Sequence, residues 1–327
     1  MGKRVLSGMR PTGKLHLGHW LGALSQWVEL QKQYQCFFMV ADWHALMSEY
    51  SEPSRIKEIT FDNLADWLAW GITPEESIIF IQSEVPQHSQ LFLHFSMFTP
   101  LARLFRCPTF KEQINQLKDK KINTYAFLGY PVLQAVDILI YKANYVPVGE
   151  DQLPHLELTR EIARKFKHLY KSKIFPQPQP LLTKVARLPG VDGRKMSNSY
   201  KNFIALDEEP TELYKKVISM FTDPARIRKS DAGHPEVCKV YDYYRNFAPD
   251  LIPEVQDWCR GAKKGCKDCK KDLAKIIDDF ISPKRERKRK IVKDEDYLKS
   301  VLEEGTKKAR AEAERTMAEV DEAVWHR

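Results

Sequence analysis

No stretch of this 327-residue chain approaches the ~20 uninterrupted apolar residues of a membrane span, so neither a spanning helix nor a membrane partner is expected. The first residues, Met1-Gly2-Lys3-Arg4-Val5-Leu6-Ser7-Gly8, lack the apolar core of a secretory signal, and the expected location is cytoplasmic. Six cysteines are too few for a disulfide scaffold in a chain this long. There is no internal repeat and no low-complexity linker. Neither sign of charge is scarce: 52 Lys and Arg face 44 Asp and Glu, for a net charge of +8. That excess suits a polyanionic partner and suits a plain basic surface equally well. What remains is a soluble globular chain, 43% hydrophobic and 29% charged, long enough for two domains.

The first two hundred residues alternate strand and helix signals. Val5-Leu6-Ser7-Gly8 reads as a short strand, and Arg10-Pro11-Thr12-Gly13 as the turn that ends it. Leu17, Leu21, Leu24, Val28 and Leu30 then recur at helical spacing. The apolar run Cys36-Phe37-Phe38-Met39-Val40-Ala41-Asp42 predicts a buried parallel strand, residues 56–70 a helix, and Ile78-Ile79-Phe80-Ile81-Gln82 a third strand. Alternation of this kind predicts an α/β fold built on a doubly wound, Rossmann-type parallel sheet. Its ligands would sit at the carboxyl ends of the strands, where Ser7-Gly8, Asp42 and Gln82 fall. After about residue 200 the pattern becomes helical, with helices predicted over 212–220, 272–280 and 297–324. We therefore expect a catalytic domain over 1–204 and a C-terminal helical domain over 205–327. The run Lys284-Arg285-Glu286-Arg287-Lys288-Arg289-Lys290 is either a solvated face or a surface for phosphates.

Two short elements carry chemistry. His16-Leu17-Gly18-His19 stands where the Pro-Gly turn enters the first helix. Free backbone N–H groups and the positive end of the helix dipole suit a phosphate there. The two imidazoles add donors, and Gly18 lets a flat base approach the backbone. The second element, Lys195-Met196-Ser197-Asn198-Ser199, follows Gly190-Val191-Asp192-Gly193-Arg194. It is a polar, basic, glycine-flanked loop of the kind that closes a cation over a triphosphate. Taken singly, each also fits an ordinary surface segment.

Together, HxGH near the N-terminus and a later KMSxS resemble the two signatures of class I aminoacyl-tRNA synthetases. Further segments resemble the tryptophanyl-tRNA synthetases: Gly8-Met9-Arg10-Pro11-Thr12-Gly13, Ala41-Asp42-Trp43-His44-Ala45, Tyr130-Pro131-Val132-Leu133-Gln134-Ala135-Val136-Asp137 and Val146-Pro147-Val148-Gly149-Glu150-Asp151-Gln152. The likeness runs over essentially the whole chain. It implies a Rossmann-type catalytic domain, a helical anticodon-binding domain, a homodimer, and the substrates ATP with Mg²⁺, L-tryptophan and tRNA(Trp). It places Arg10, Pro11, Thr12, Gly18, His19, Gly149, Glu150, Asp151 and Leu188 around ATP. Lys195, Met196, Ser197, Asn198 and Ser199 would form the mobile loop on the phosphates, with His16, His19, Lys111, Lys195 and Ser197 as the catalytic set. Asp137 would accept the indole N–H, and His44, Tyr130, Gln134 and Gln152 would surround the amino acid. The chemistry agrees: the indole ring offers one polar atom, a donor, and a buried carboxylate is its fitting acceptor. One departure stands out, for Asn198 occupies a position where the family loop usually carries a second lysine.

Cys238, Cys259, Cys266 and Cys269 gather in the helical region, whereas Cys36 sits in its apolar strand as a small hydrophobe. The closing Cys-x-x-Cys pair is a common chelate, and four thiolates suit tetrahedral zinc or an iron–sulfur cube. Some tryptophanyl-tRNA synthetases carry a [4Fe–4S] cluster on similar cysteines. The segment Gly265-Cys266-Lys267-Asp268-Cys269-Lys270-Lys271 resembles theirs, which implies that cluster here, with Zn²⁺ as the alternative. Three other readings compete: a tyrosyl-tRNA synthetase, a non-catalytic RNA-binding paralogue, and a small-molecule nucleotidyltransferase sharing HxGH. The Gly149-Glu150-Asp151-Gln152 segment, the nearly intact ATP motifs and the long basic helical region argue against them in turn.

Overall fold

The apolar runs become parallel strands. In the computed structural model, which describes residues 2–107, 123–182, 188–198 and 200–326, β1 is Arg4–Met9, β2 Gln35–Val40, β3 Ser77–Ile81, β4 Tyr145–Val148 and β5 Gln179–Leu182. The order across the sheet is β3-β2-β1-β4-β5, and every pairing is parallel. Val5 lies opposite both Cys36 and Tyr145, and Cys36 opposite Ser77. Side chains alternate across such a sheet. Cys36, Phe38 and Val40 enter one apolar core with Trp27 and Trp67, while Phe37 and Met39 enter the other with Phe95 and Tyr141. From β1 the chain builds outward to β2 and β3, and only later returns to lay β4 on the other side. That reversal opens a crevice at the carboxyl ends of β1 and β4.

Two expectations are corrected in detail. β2 ends at Val40, and Asp42 begins the helix Asp42–Glu49, because its Oδ1 accepts the backbone N–H groups of Trp43 and Ser83, both at 3.0 Å. The first long helix is not uniform: Leu17–His19 and Ser25–Leu30 are joined by a π turn over Trp20–Leu24. The wider turn shifts the helical phase. Leu17, Leu24, Trp27 and Leu30 are buried, while Leu21 and Val28 are only half-buried.

The C-terminal region is helical, as expected, with Pro210–Ser219, Lys239–Phe247, Ile252–Arg260, Cys266–Ile291 and Glu295–Trp325. The core beneath β1 continues into it through Leu213, Leu273, Ile277 and Leu298. Helix Glu295–Trp325 then returns along the open edge of the sheet. A Cβ on Gly305 would stand 1.8 Å from the Ile79 carbonyl oxygen, so only glycine permits this close approach to β3. Covering an edge strand this way protects it from pairing with other chains. The basic run lies inside helix Cys266–Ile291, and two of its members point inward. Lys288 Nζ meets Asp62 at 2.8 Å, Asp66 at 3.0 Å and Asp207 at 2.9 Å, and Arg285 pairs with Asp278 at 3.0 Å. These two are structural cations, unavailable to phosphates. Among the described residues, no helix is long and apolar enough to cross a membrane.

Candidate active site

The site is built where β1 ends. Gly8 lies close under Met39, and the Thr12 amide turns back on the Arg10 carbonyl at 2.9 Å. Past the turn, the backbone ties the first signature element to the segment that follows the second. Leu17 N donates to Ile204 O at 3.0 Å, Leu206 N to Leu15 O at 3.0 Å, and His16 bridges Ala205. Asn198 Nδ2 donates to the Lys14 carbonyl at 3.1 Å, and a Cβ on Gly13 would stand 2.8 Å from that nitrogen. The residue that departs from the family pattern thus ties the loop to the turn. A Cβ on Gly18 would lie 3.0 Å from the His16 ring and 3.5 Å from Met196 Sδ.

The two histidines are packed, not free. His16 caps the helix start, with its backbone N–H donating to His19 Nδ1 at 3.2 Å and the two rings 3.8 Å apart. Burial, with the neighbouring His19, lowers His16 to a pKa of about 3, and burial lowers His19 to about 4. Both are therefore neutral at pH 7. They can offer N–H groups to phosphate oxygens but no charge. Positive charge falls to Lys195, which is exposed on its loop.

That loop is held by a residue the sequence did not mark. Asn202 is buried; its Oδ1 accepts the Ser197 N–H at 2.9 Å, and its Nδ2 donates to Asp192 at 2.7 Å and to the Lys195 carbonyl at 3.1 Å. Leu188 and Met196 anchor the loop in the core. Lys111 and Ser199 lie outside the described residues.

A cavity of about 380 Å³ opens at the carboxyl ends of β1 and β4. Arg10, His44, Tyr130, Gln134, Asp137, Gly149 and Gln152 all line it, with Leu6, Met39, Phe127 and Ile138 as apolar wall. Every residue expected around the amino acid is thus brought to one pocket. Pro11, Thr12, Gly18, Glu150, Asp151 and the Lys195 loop lie outside that lining. Glu150–Gln152 form a single turn before helix Leu153–Tyr170, where Gln152 Nε2 donates to Asp151 at 3.0 Å. A Cβ on Gly149 would stand 2.7 Å from Asp151 Oδ1.

Asp137 is 2% exposed, on helix Tyr125–Ile140. Its Oδ1 takes hydrogen bonds from Gln82 Nε2 and His88 Nδ1, both at 2.7 Å, and its Oδ2 pairs with His44 Nε2 at 2.7 Å. Burial alone would raise its pKa. The His44 and His88 contacts outweigh burial and hold the carboxyl below the usual range, so the group is an anion. Sequence reasoning missed His88 and placed Gln82 only at a strand end. His88 stands six residues after Gln82, and nothing in that spacing reveals that both turn onto Asp137.

The four clustered cysteines line a second, small cavity of about 30 Å³ beside Arg226, Tyr244 and Trp258, and all four are free thiols. Among the described residues, no three His, Cys, Asp or Glu side chains are spaced to hold a metal ion, so the expected cluster is not seen as a formed ligand set. The surroundings nonetheless fit anionic sulfur. Arg226 gives a side-chain hydrogen bond to Cys259 and Trp258 one to Cys269, and a Cβ on Gly233 would crowd Cys259 Sγ at 2.6 Å.

The chain is similar to known proteins over nearly its whole length. The family model described as tRNA synthetases class I (W and Y) matches residues 2–282. A tryptophan–tRNA ligase of Thermotoga maritima is 52% identical over 326 residues, covering 98% of each chain. One of Aquifex aeolicus is 41% identical over 392 residues, covering 98% of this chain and 99% of its own. The crystal structure of tryptophanyl-tRNA synthetase from Campylobacter jejuni, complexed with ADP and tryptophan, superposes with a TM-score of 0.89 at 31% identity, covering 98% of this chain and 99% of that one.

Proposed function

The chain belongs to the class I tRNA synthetases for tryptophan and tyrosine, and we propose that within this family Asp137 selects the indole ring while the Lys195 loop serves ATP. The enzyme is a tryptophan–tRNA ligase. It activates tryptophan with ATP and transfers it to tRNA(Trp). The observation that carries the selection is the buried, ionised Asp137 among the pocket-lining groups. Tryptophan's one polar ring atom is a donor, and an anionic acceptor in an apolar wall is what it needs.

In the first step the tryptophan carboxylate oxygen attacks the α-phosphorus of ATP. A carboxylate–phosphorus bond forms, the bond to the β-phosphate oxygen breaks, and pyrophosphate leaves with that electron pair. In the second step a ribose hydroxyl of the tRNA end attacks the activated carbonyl, loses its proton, and AMP leaves. Little covalent work falls to side chains. Rate comes from positioning and from stabilising phosphate charge. Arg10, Pro11, Thr12, Gly18 and the Gly149–Asp151 turn hold the nucleotide in this reading. His16, His19 and Ser197 give hydrogen bonds, and Lys195 with Lys111 gives charge. Mg²⁺ comes with the triphosphate, as is usual where a protein supplies no cage of its own. Tyr130, Gln134, His44 and Gln152 orient the amino acid. Pyrophosphate exchange with each of the twenty amino acids tests this assignment. Tryptophan should lead, and a higher kcat/KM for tyrosine would overturn it.

Residues 205–327 serve as the tRNA-binding helical region in this reading, and the working unit is a cytoplasmic homodimer. Leu93, Met97, Leu101 and Phe105, exposed on helices Gln87–Phe98 and Leu101–Phe105, favour pairing, which sedimentation of the purified protein tests. Cys238, Cys259, Cys266 and Cys269 would hold a [4Fe–4S] cluster, supported by their shared cavity and by the Arg226 and Trp258 donors that face two of the sulfurs. When bound, the cluster would supply thiolate links that fix the lysine-rich segment 263–271 for RNA. Anaerobic protein should contain about four irons per chain, as a Cys₄-held cube requires. Cys266→Ser should lose them, and stoichiometric zinc without iron would overturn the cofactor.

A further inference from the structure

The two oxygens of Asp137 are not equivalent. The Oδ2 partner, His44, lines the pocket, whereas the Oδ1 partners, Gln82 and His88, are fully buried and do not. Behind Asp137 the contacts continue inward. His88 Nε2 lies 2.7 Å from the Tyr141 hydroxyl, and the Tyr141 ring stacks at 4.7 Å on Phe37 of β2. A carboxylate can only accept, so the His88 proton sits on Nδ1. Burial, and secondarily Asp137, pushes the Tyr141 pKa well up, so the hydroxyl keeps its proton while it holds Nε2 in place at 2.7 Å. The ring is thus held at both nitrogens, with its Nδ1 donor aimed at Oδ1.

We propose that His88, locked by Tyr141, is a positioning residue for substrate selection: by closing Oδ1 from behind together with Gln82, it leaves Oδ2 as the acceptor that the indole N–H can reach. The proposal rests on the reading of Asp137 as the indole acceptor and adds how its orientation is set. Without a donor from His88, Oδ1 keeps only Gln82, and the acceptor facing the ring is held less firmly. A histidine that merely filled the core would affect all ring substrates alike. A histidine that aims the acceptor affects only those with an N–H.

The test compares tryptophan with benzothienylalanine, which keeps the bicyclic shape and has sulfur in place of N–H. The readout is the ratio of their kcat/KM values in pyrophosphate exchange by the full-length enzyme. His88→Leu should lower that ratio about tenfold, the size expected for one hydrogen bond to a charged group. His88→Asn, whose amide can place a donor near the Nδ1 position, should restore the ratio to within about threefold of wild type. Tyr141→Phe keeps the ring packing and removes only the lock, so it should give an intermediate ratio; it also decides the matter if His88→Leu does not fold. Equal losses for both substrates in His88→Leu, or a wild-type ratio in Tyr141→Phe, would overturn the proposal. A wild-type enzyme with no preference for tryptophan over the sulfur analogue would instead remove Asp137 from the indole site, and the proposal would fall with it.

Discussion

Replacing Asp137 by Asn is the sharpest test of the pocket. The carboxylate takes hydrogen bonds from Gln82 and His88 on Oδ1, and pairs with His44 through Oδ2, all at 2.7 Å. An asparagine at this place has one oriented solution. Its carbonyl must face Gln82 and His88, because the flipped amide would set two donors against a third. The NH₂ group then takes the place of Oδ2, toward the pocket. The indole N–H loses a charged acceptor and meets a donor. A hydrogen bond to a charged group contributes about 1.5–3 kcal/mol, or roughly tenfold to 150-fold. The opposed donors add to that, so kcat/KM for tryptophan should fall about 100-fold. The KM for ATP should change by no more than about twofold, since no group proposed to hold the nucleotide is altered. Pyrophosphate exchange measured against each substrate in turn gives both numbers. A loss below about threefold for tryptophan, or an equal loss for benzothienylalanine, would refute the reasoning.

Three further outcomes follow from the same geometry. Asn202→Ala strips partners from the Ser197 N–H and the Lys195 carbonyl, so kcat should fall about tenfold or more with the tryptophan KM little changed, read by steady-state kinetics. His16 and His19 have depressed folded pKa values of about 3 and 4, so their share of stability is whole above the unfolded value near 6.5 and is lost as pH falls toward those values. Replacing both by Gln should flatten that part of the acid limb in urea unfolding. Lys288→Met removes the cation that Asp62 and Asp207 face and should cost about 3–5 kcal/mol in equilibrium unfolding near neutral pH. A cost below about 1 kcal/mol would mean that solvent already screens the cluster.

The sheet was legible where its strands are buried on both faces. Residues 36–40 form an unbroken apolar run, and in the structure all of them are buried. β4 and β5 were harder, because each is four residues long and carries a proline, Pro147 and Pro180. Proline removes a ladder donor and argues against a central strand; β5 is at the edge of the sheet, where it is tolerated. The π turn was invisible to a 3.6-residue period, which assumes constant winding. The pocket residues were legible because a family resemblance attaches roles to them. His88 and Asn202 were not, since a buried polar side chain shows its purpose only when its partners are known. Asn202 joins Asp192, Lys195 and Ser197 within one loop, but His88 joins Asp137 and Tyr141, which stand far along the chain.

The basic run shows why charge along a chain does not report charge on a surface. Seven consecutive residues hold six cations and read as a face for phosphates, yet the helix that carries them turns Arg285 and Lys288 into the protein. Lys288 meets Asp62 and Asp66 from helix Ser54–Ala69 and Asp207 from the turn beyond the Lys195 loop. Burial raises the Asp66 pKa to about 8, so near neutral pH this carboxyl largely keeps its proton and Lys288 faces two anions, not three. The sign of the pH dependence follows. A raised carboxyl pKa gives stability that is whole below the unfolded value near 4 and is lost as pH rises toward 8. Asp66→Asn should remove that decline while leaving the midpoint near pH 6 almost unchanged, whereas Asp207→Asn, which deletes a true anion, should lower it throughout. The two substitutions differ only in which of the three carboxyls loses its proton site. A decline removed by Asp66→Asn alone would show that Lys288 joins the helical region to the turn beyond the Lys195 loop through charge; identical profiles would show that packing alone does so.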